Sequence, residues 1–187
     1  MFGQSDEKLI SKALQGDNIA WLRLVKRYES AIFHYALRMI GNRDDAQDLM
    51  QETFLSVYRS LQTYQATGSF KGWLFRIANF RCIELYRRSK TTQDINDLPE
   101  VACTKSLPDS QLTAQQTNAL LIAAMQQLPI NQRLVVELKF FSQFTFDEIA
   151  EQLDISSNTA KSRLYGALAK LQDFMGDEYA QAANVSR

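Results

Sequence analysis

The chain has 187 residues and a mass of 21.4 kDa, room for one large domain or two small ones, and 45% of its residues are hydrophobic, enough for real cores. No uncharged apolar run reaches membrane-spanning length and no cleavable apolar leader stands near Met1, so the expectation is a protein that stays in the cytoplasm. Cys82 and Cys103 lack paired metal spacing, and the lone His34 lies between Phe33 and Tyr35. A disulfide framework, a metal site and a cofactor are therefore not expected.

The formal net charge is zero, but the charge is segregated. Residues 1–90 sum to +5, residues 91–120 to −3 and residues 121–187 to −2. The sharpest block sets Lys71, Arg76, Arg81, Arg87, Arg88 and Lys90 against Glu84 alone.

Helical periodicity runs through nearly the whole chain. Leu22, Val25, Ile32, Ala36 and Ile40 share a helical face, with Gly41 where that helix should stop. Asp44, with Gln47 three residues on, is placed to cap a second helix running to about Leu61, and Ser69 a third from about Phe70 to Arg88. Residues 91–111 carry two of the three prolines and almost no periodicity, as a flexible acidic linker would. Leu112–Leu128, Asn131–Phe141, Phe146–Leu153 and Ser157–Phe174 then read as four more helices, with a frayed tail over 177–187. The fold class expected is all-α: two small helical domains, residues 1–90 and 112–176, joined by the linker 91–111. With so little to pack, the linker is not expected to hold the free domains in one orientation.

The segment "FTFDEIAEQLDISSNTAKSRLYGALAKL" is the most specific motif. Thr145 and Glu148 match a capping box, Asp154 suits a left-handed helix end, and Ser156 can start the next helix. The inner faces are Ile149, Ala150 and Leu153 on the first helix, and Ala160, Leu164, Ala167, Leu168 and Leu171 on the second. The small Ala150 and Ala160 permit a close crossing, which is the arithmetic of a helix-turn-helix. Ser157, Asn158, Thr159, Lys161, Ser162, Arg163 and Tyr165 on the second helix can donate to phosphates and base edges. The motif alone leaves open a helical hairpin whose polar face is simply solvated.

Across residues 8–90 and 112–173, "RYESAIFHYALRMIGNRDDAQDLMQETFLSVYRSL", "SFKGWLFRIANFRCIELYRRSK" and "LPINQRLVVELKFFSQFTFDEIAEQLDISSNTAKSRLYGALAKL" together resemble the two conserved domains of bacterial sigma factors. Two such domains with a short linker look like the extracytoplasmic-function (ECF) group. The resemblance implies a non-enzymatic factor that binds core RNA polymerase, directs it to promoter DNA and helps open the duplex, with an anti-sigma factor as a further partner. It places polymerase docking on Asp45, Asp48, Gln51, Glu52 and Leu55. The apolar Leu55 in an otherwise polar arc suits a protein contact independently. Minus-10 recognition and base flipping fall on the loop Tyr64–Ser69 and on Lys71, Arg76, Asn79, Phe80, Arg81, Arg87 and Arg88, where cations mix with aromatics. Minus-35 reading falls on the outer face of the second helix of the helix-turn-helix.

Two departures from the family pattern bear on DNA preference. Phe80 stands where relatives often carry Asn. In the second helix an arginine common in relatives is Gly166, at about 1 kcal/mol of helix propensity relative to Ala, and a usual glycine is Asn158. Three other readings compete: a polymerase-independent regulator using only the helix-turn-helix, a helical enzyme, and an adaptor. The first leaves the acidic face and the basic–aromatic block without a purpose, and no convergent His, Cys or carboxylate cluster supports the second.

Overall fold

In the computed structural model, residues 4–93 and 112–185 are described, with side chains over 4–88 and 118–174. The elements are α1 (Asp6–Leu14), α2 (Asn18–Ile40), α3 (Arg43–Ser60), a short 3-10 turn (Leu61–Thr63), α4 (Phe70–Gln93), α5 (Leu112–Gln126), α6 (Ile130–Val136), a widened π turn (Glu137–Phe141), α7 (Phe146–Leu153) and α8 (Ser157–Val185). No strand occurs among the described residues. Most of the linker, and Cys103 within it, lies outside them.

Local chemistry explains most of the boundaries. The Asp17 carboxylate accepts from the backbone N–H groups of Ile19 and Ala20 at the start of α2. Gly41 ends α2 with φ +95, a conformation a β-carbon would strain. The capping box is present in full, with Thr145 and Glu148 exchanging bonds at the start of α7, and Asp154 closes α7 in the left-handed region at φ 52. The Ser156 hydroxyl accepts from the Thr159 N–H to start α8.

Three sequence expectations are corrected, and one helix is added. Asn42 rather than Asp44 caps α3, its side-chain oxygen accepting from the Asp45 N–H at 2.8 Å; Asp44 sits inside the first turn, where its charge favours the helix dipole. α1 is the added helix: Ser5 caps it, and Leu9 and Ile10 bury against α2. Leu22 and Leu168 are exposed rather than inward. The backbone of α8 passes through Gly176 to Val185, since one glycine costs a helix about 1 kcal/mol and strong helix formers follow it.

α1 to α4 pack as one group, and α5 to α8 as a second. The two groups pack on each other. α2 packs on α5, and α4 packs on α7. Their buried side chains, from Leu9, Tyr35 and Phe75 to Leu138, Ile149 and Ala167, belong to one continuous apolar cluster.

Polar contacts fix the junction at two places. At one, the Arg38 guanidinium makes a paired contact with the Glu137 carboxylate (2.6 and 2.8 Å), across 99 positions of sequence. Glu137 is fully buried and Arg38 nearly so. Burial pushes the Glu137 carboxyl up, and its bonds with Arg38 pull it back down. Beside it, Gln126 donates to the Arg38 carbonyl and lies against Gly41, where a β-carbon would come within 2.9 Å of the Gln126 side chain. Arg133 donates to the Met39 carbonyl at the end of α2. At the other place, Lys71 donates to the Ser142 carbonyl at 2.6 Å with its ammonium over the Phe144 ring, Phe144 meets Phe75 edge to face, and Asn79 donates to Gln152 at 3.0 Å. The π turn between α6 and α7 supplies Glu137, and Ser142 follows it directly.

Candidate polymerase and nucleic-acid surfaces

The α3 face divides as its period requires. Ala46, Leu49, Thr53 and Val57 are buried, while Asp45, Asp48, Gln51 and Glu52 are exposed and Leu55 is 46% exposed among them. Leu55 and Gln51 rim an apolar groove of about 560 Å³ between α2 and α3, walled by Trp21, Leu22 and Tyr58. The five residues expected to dock a protein partner therefore share one accessible surface. Leu22 and Tyr58, which sequence reasoning did not assign, extend it.

On the other edge of α3, Arg59 lines a second groove of about 490 Å³ with Arg76, Phe80 and Arg81 of α4. Phe80 is 65% exposed there, an aromatic face beside three guanidinium groups. Such a combination suits an unpaired nucleic-acid strand, with cations for phosphate and a ring for a base. The crossing of α3 on α4 brings Arg59 to this basic groove and away from the acidic edge.

The loop before α4 is built by its own aromatics. Tyr64 donates to the Gly68 carbonyl at 2.9 Å and packs against Phe70 and Trp73, and Ala66 takes φ 53 at the turn. The Ser69 hydroxyl accepts from the Gly72 N–H at 3.0 Å and caps α4. Loop and helix enclose a cavity of about 410 Å³ that also involves Arg76, and its other wall is Phe144, Glu148, Glu151 and Gln152 of the second group.

The residues expected to contact minus-10 DNA thus separate. Tyr64, Ser69 and Arg76 line this cavity, and Phe80, Arg76 and Arg81 the neighbouring groove. Arg81 is half-buried, donating to Ser56 and Glu84, and Arg88 also pairs with Glu84. Arg87 is exposed farther along α4. Lys71 is turned toward Ser142 and Phe144. Asn79 is a correction: it is buried, accepts from the Tyr35 hydroxyl at 2.8 Å and donates to Gln152, so it presents nothing to DNA in this arrangement.

On α8, Asn158, Lys161, Ser162 and Tyr165 form an exposed face, Tyr165 at 67%. Ser157 donates to Asp147 of α7, Thr159 bonds Ser156, and these two and Arg163 are half-buried. Gly166 faces inward: a β-carbon there would come within 3.1 Å of Gln132 on α6, so the residue serves helix crossing rather than leaving a gap in a DNA face. Among the described residues no group of acidic, His and Cys side chains is arranged to hold a metal ion, and no helix is long and apolar enough to cross a membrane.

Comparison with known proteins places these surfaces in a family. Residues 24–92 match Sigma-70 region 2, and residues 118–171 match Sigma-70, region 4. The ECF RNA polymerase sigma factor SigE of Mycolicibacterium smegmatis is 32% identical over 175 residues, covering 90% of this chain and 67% of that protein. SigW of Bacillus subtilis is 25% identical over 91% of this chain and 97% of its own length. Among solved structures, CnrH in complex with the cytosolic domain of CnrY superimposes with a TM-score of 0.69 at 23% identity, covering 93% of this chain and 99% of that one. The sigma factor RpoE in complex with the anti-sigma factor NepR from Bartonella quintana gives 0.66 at 24%, over 82% and 95%. At those identities the structural likeness concerns the fold. The family follows from the sequence matches and from the order of the two regions along the chain, and on that basis the chain belongs to the ECF RNA polymerase sigma factors.

Proposed function

We propose that this sigma factor distributes its work over three surfaces. Residues 1–90 form the unit that docks on core RNA polymerase, through Asp45, Asp48, Gln51, Glu52 and Leu55, with Leu22 and Tyr58 at the edge of the contact. The loop Tyr64–Ser69 and the groove of Arg59, Arg76, Phe80 and Arg81 hold the displaced strand of the minus-10 element, Phe80 acting as a stacking face. Arg87 and Arg88 extend the basic track along α4. Residues 112–176 form the minus-35 reader, with Asn158, Lys161, Ser162 and Tyr165 toward the major groove and Ser157, Thr159 and Arg163 flanking. Residues 91–111 tether the two. In this reading the chain performs no catalysis, and the polymerase supplies the chemistry.

The observation that carries the reading is the division of α3. One edge is acidic and apolar, suited to a protein; the other meets α4 to form a basic groove with an exposed ring, suited to a strand of DNA. A neutral chain can serve in DNA recognition because its charges are sorted by surface, and because a larger assembly supplies much of the electrostatic attraction. Since the similar RpoE structure is a complex with an anti-sigma factor, we extend that class of partner to this chain as its regulator.

The test is transcription in vitro with core polymerase on a genomic template library, with transcript starts mapped. Promoter-dependent starts are expected with the wild type. They should be lost with Glu52→Lys at the docking face, since a reversed charge in a charge-complementary contact is costly. Unchanged binding of Glu52→Lys to core polymerase would remove α3 from the docking role.

A further inference from the structure

The loop assigned to the minus-10 base is held in shape by a series of contacts that begins outside it. Tyr64 donates to the Gly68 carbonyl across the loop, and its ring packs edge to face on Phe70 with centroids 5.7 Å apart. Phe70 is buried, and its ring also meets the Tyr28 ring of α2 edge to face, at 5.5 Å. The Tyr28 hydroxyl donates to one oxygen of the Asp6 carboxylate in the first turn of α1, and the Arg27 guanidinium donates to the other. Arg27 donates to the Gln4 carbonyl as well, at 2.6 Å, so two consecutive residues of α2 hold the start of α1. Burial, and then the Asp6 carboxylate, push the Tyr28 hydroxyl well above its ordinary value, which keeps it a donor at neutral pH. α1 packs directly on the 3-10 turn Leu61–Thr63 that leads into the loop, with Leu9 and Leu61 both buried. α1 lies before the residues 24–92 that match region 2, and none of the three working surfaces uses it.

We propose that α1 is the brace of the minus-10 loop, with Asp6 as a positioning residue. Through the Tyr28 hydroxyl it fixes the Tyr28 and Phe70 rings on which Tyr64 sets the loop, and so sharpens the choice of base there without touching DNA. Edge-to-face ring pairs have a preferred geometry, so a Tyr28 ring anchored at its hydroxyl passes its orientation to Phe70 and then to Tyr64. A loop held in one conformation has its binding groups in place before the base arrives, whereas a loop that can repack accepts several bases. The inference rests on the assignment of the loop Tyr64–Ser69 to minus-10 DNA.

The Asp6–Tyr28 bond is the handle for a test, because neither residue belongs to the docking or DNA surfaces. Tyr28→Phe removes only the hydroxyl and leaves the ring on Phe70, which guards against the local unfolding of α1 that Asp6→Ala could cause. Asp6→Asn keeps an amide oxygen that can accept from Tyr28. A helix that only stabilised the fold would, when loosened, lower transcription from every promoter alike. A brace changes the preference among bases at the position the loop reads.

The measurement is made on the full chain assembled with core polymerase, by counting transcripts from one promoter library randomised at the minus-10 element and a second randomised at the minus-35 element. Asp6→Ala and Tyr28→Phe should each reduce the preference for the best base at the loop's position by about three- to tenfold, within the range for residues that act through packed neighbours. Preference across the minus-35 library should stay as in wild type. The double variant should lose no more than the larger single loss, since both changes cut the same link, and Asp6→Asn should recover most of the preference. Unchanged minus-10 preference in both single variants, additive losses in the double variant, or an equal fall at all minus-10 sequences would each overturn the brace. The assignment beneath is read separately with Gln65→Ala and Thr67→Ala, two exposed loop side chains that line the cavity. If these leave minus-10 preference unchanged, the loop is not the reader and both ideas fall; if they alter it while the Asp6 and Tyr28 variants do not, the brace alone falls.

Discussion

The two surfaces proposed to read DNA are kept under different conditions. The minus-35 face on α8 is a row of exposed side chains on a single helix, supported from behind by Ala160, Leu164 and Ala167. The minus-10 cavity is composite: a loop and α4 make one wall, and α7 of the other group makes the second. A single-helix surface is formed as soon as its helix-turn-helix folds, whereas a composite cavity changes with every change in domain packing. α7 belongs to both, since it braces α8 on one side and covers the cavity on the other. The helix that braces the proposed duplex-reading face therefore also walls the cavity proposed for the single strand.

The largest expected effect comes from loosening α7, on which both roles depend. Ile149 is fully buried between α7 and its neighbours. Ile149→Ala should cost about 2–5 kcal/mol, measured as a shift in denaturation midpoint. Transcription from promoters that need minus-35 contacts should fall, while protection of the Tyr64–Ser69 loop from protease should also be lost. Loss of the first with full retention of the second would show that shielding of the Tyr64–Ser69 loop does not depend on the packing of Ile149.

Gly41 offers a smaller perturbation confined to the junction. Alanine there must adopt φ +95 and also push the Gln126 side chain aside. Destabilisation of about 1–2 kcal/mol is expected from the backbone strain alone, with faster hydrogen exchange at the α2–α5 contact than in the α7–α8 contact. Equal changes in both would mean the two groups unfold as one.

On the exposed side, Lys161→Ala and Tyr165→Ala should leave stability within about 0.5 kcal/mol, because both side chains are at the surface. A base-reading residue is worth about 1–3 kcal/mol at particular positions, and a phosphate contact weakens all sequences alike. Binding of the polymerase complex to a randomised minus-35 library distinguishes these outcomes. No change at any position would disconnect this face from promoter reading.

The smallest effect is a pair of pH dependences with opposite signs. Backbone and side-chain hydrogen bonds from Thr145 hold the Glu148 carboxyl below its usual value of 4.5, so its capping contribution to α7 is present above that pH and fades as pH falls through the lowered value. Burial raises the Glu137 carboxyl above 4.5, opposed by Arg38, by the Ser142 hydroxyl and by His34. Its influence on the junction is most favourable below 4.5 and is lost as pH rises through the raised value. Between neutral and mildly acidic pH the junction should tighten before the cap weakens, measurable by scattering and by α7 exchange rates. In Glu137→Gln the tightening should disappear.

What the sequence by itself determined is local: the helices of the all-α fold, most of their ends, and the helix-turn-helix. Thr145, Glu148, Asp154 and Gly41 act on backbone groups a few positions away, so their roles follow from spacing. The exposed faces of α8 and α3 are legible for the same reason, since a single helix sorts its side chains by its period. α1 could have been found from Ser5 followed by Asp6 and Glu7, a cap with an acidic first turn.

Only the tertiary structure decided which side chains meet across the two groups. Nothing in the local pattern pairs Arg38 with Glu137, buries Asn79 between Tyr35 and Gln152, or moves Arg59 beside Phe80. The family resemblance implies DNA contacts for Lys71 and Asn79. In the folded chain the second group takes up their hydrogen-bonding capacity, as buried or half-buried polar atoms require. Helical periodicity records which side of a helix is covered, and long-range packing decides what covers it.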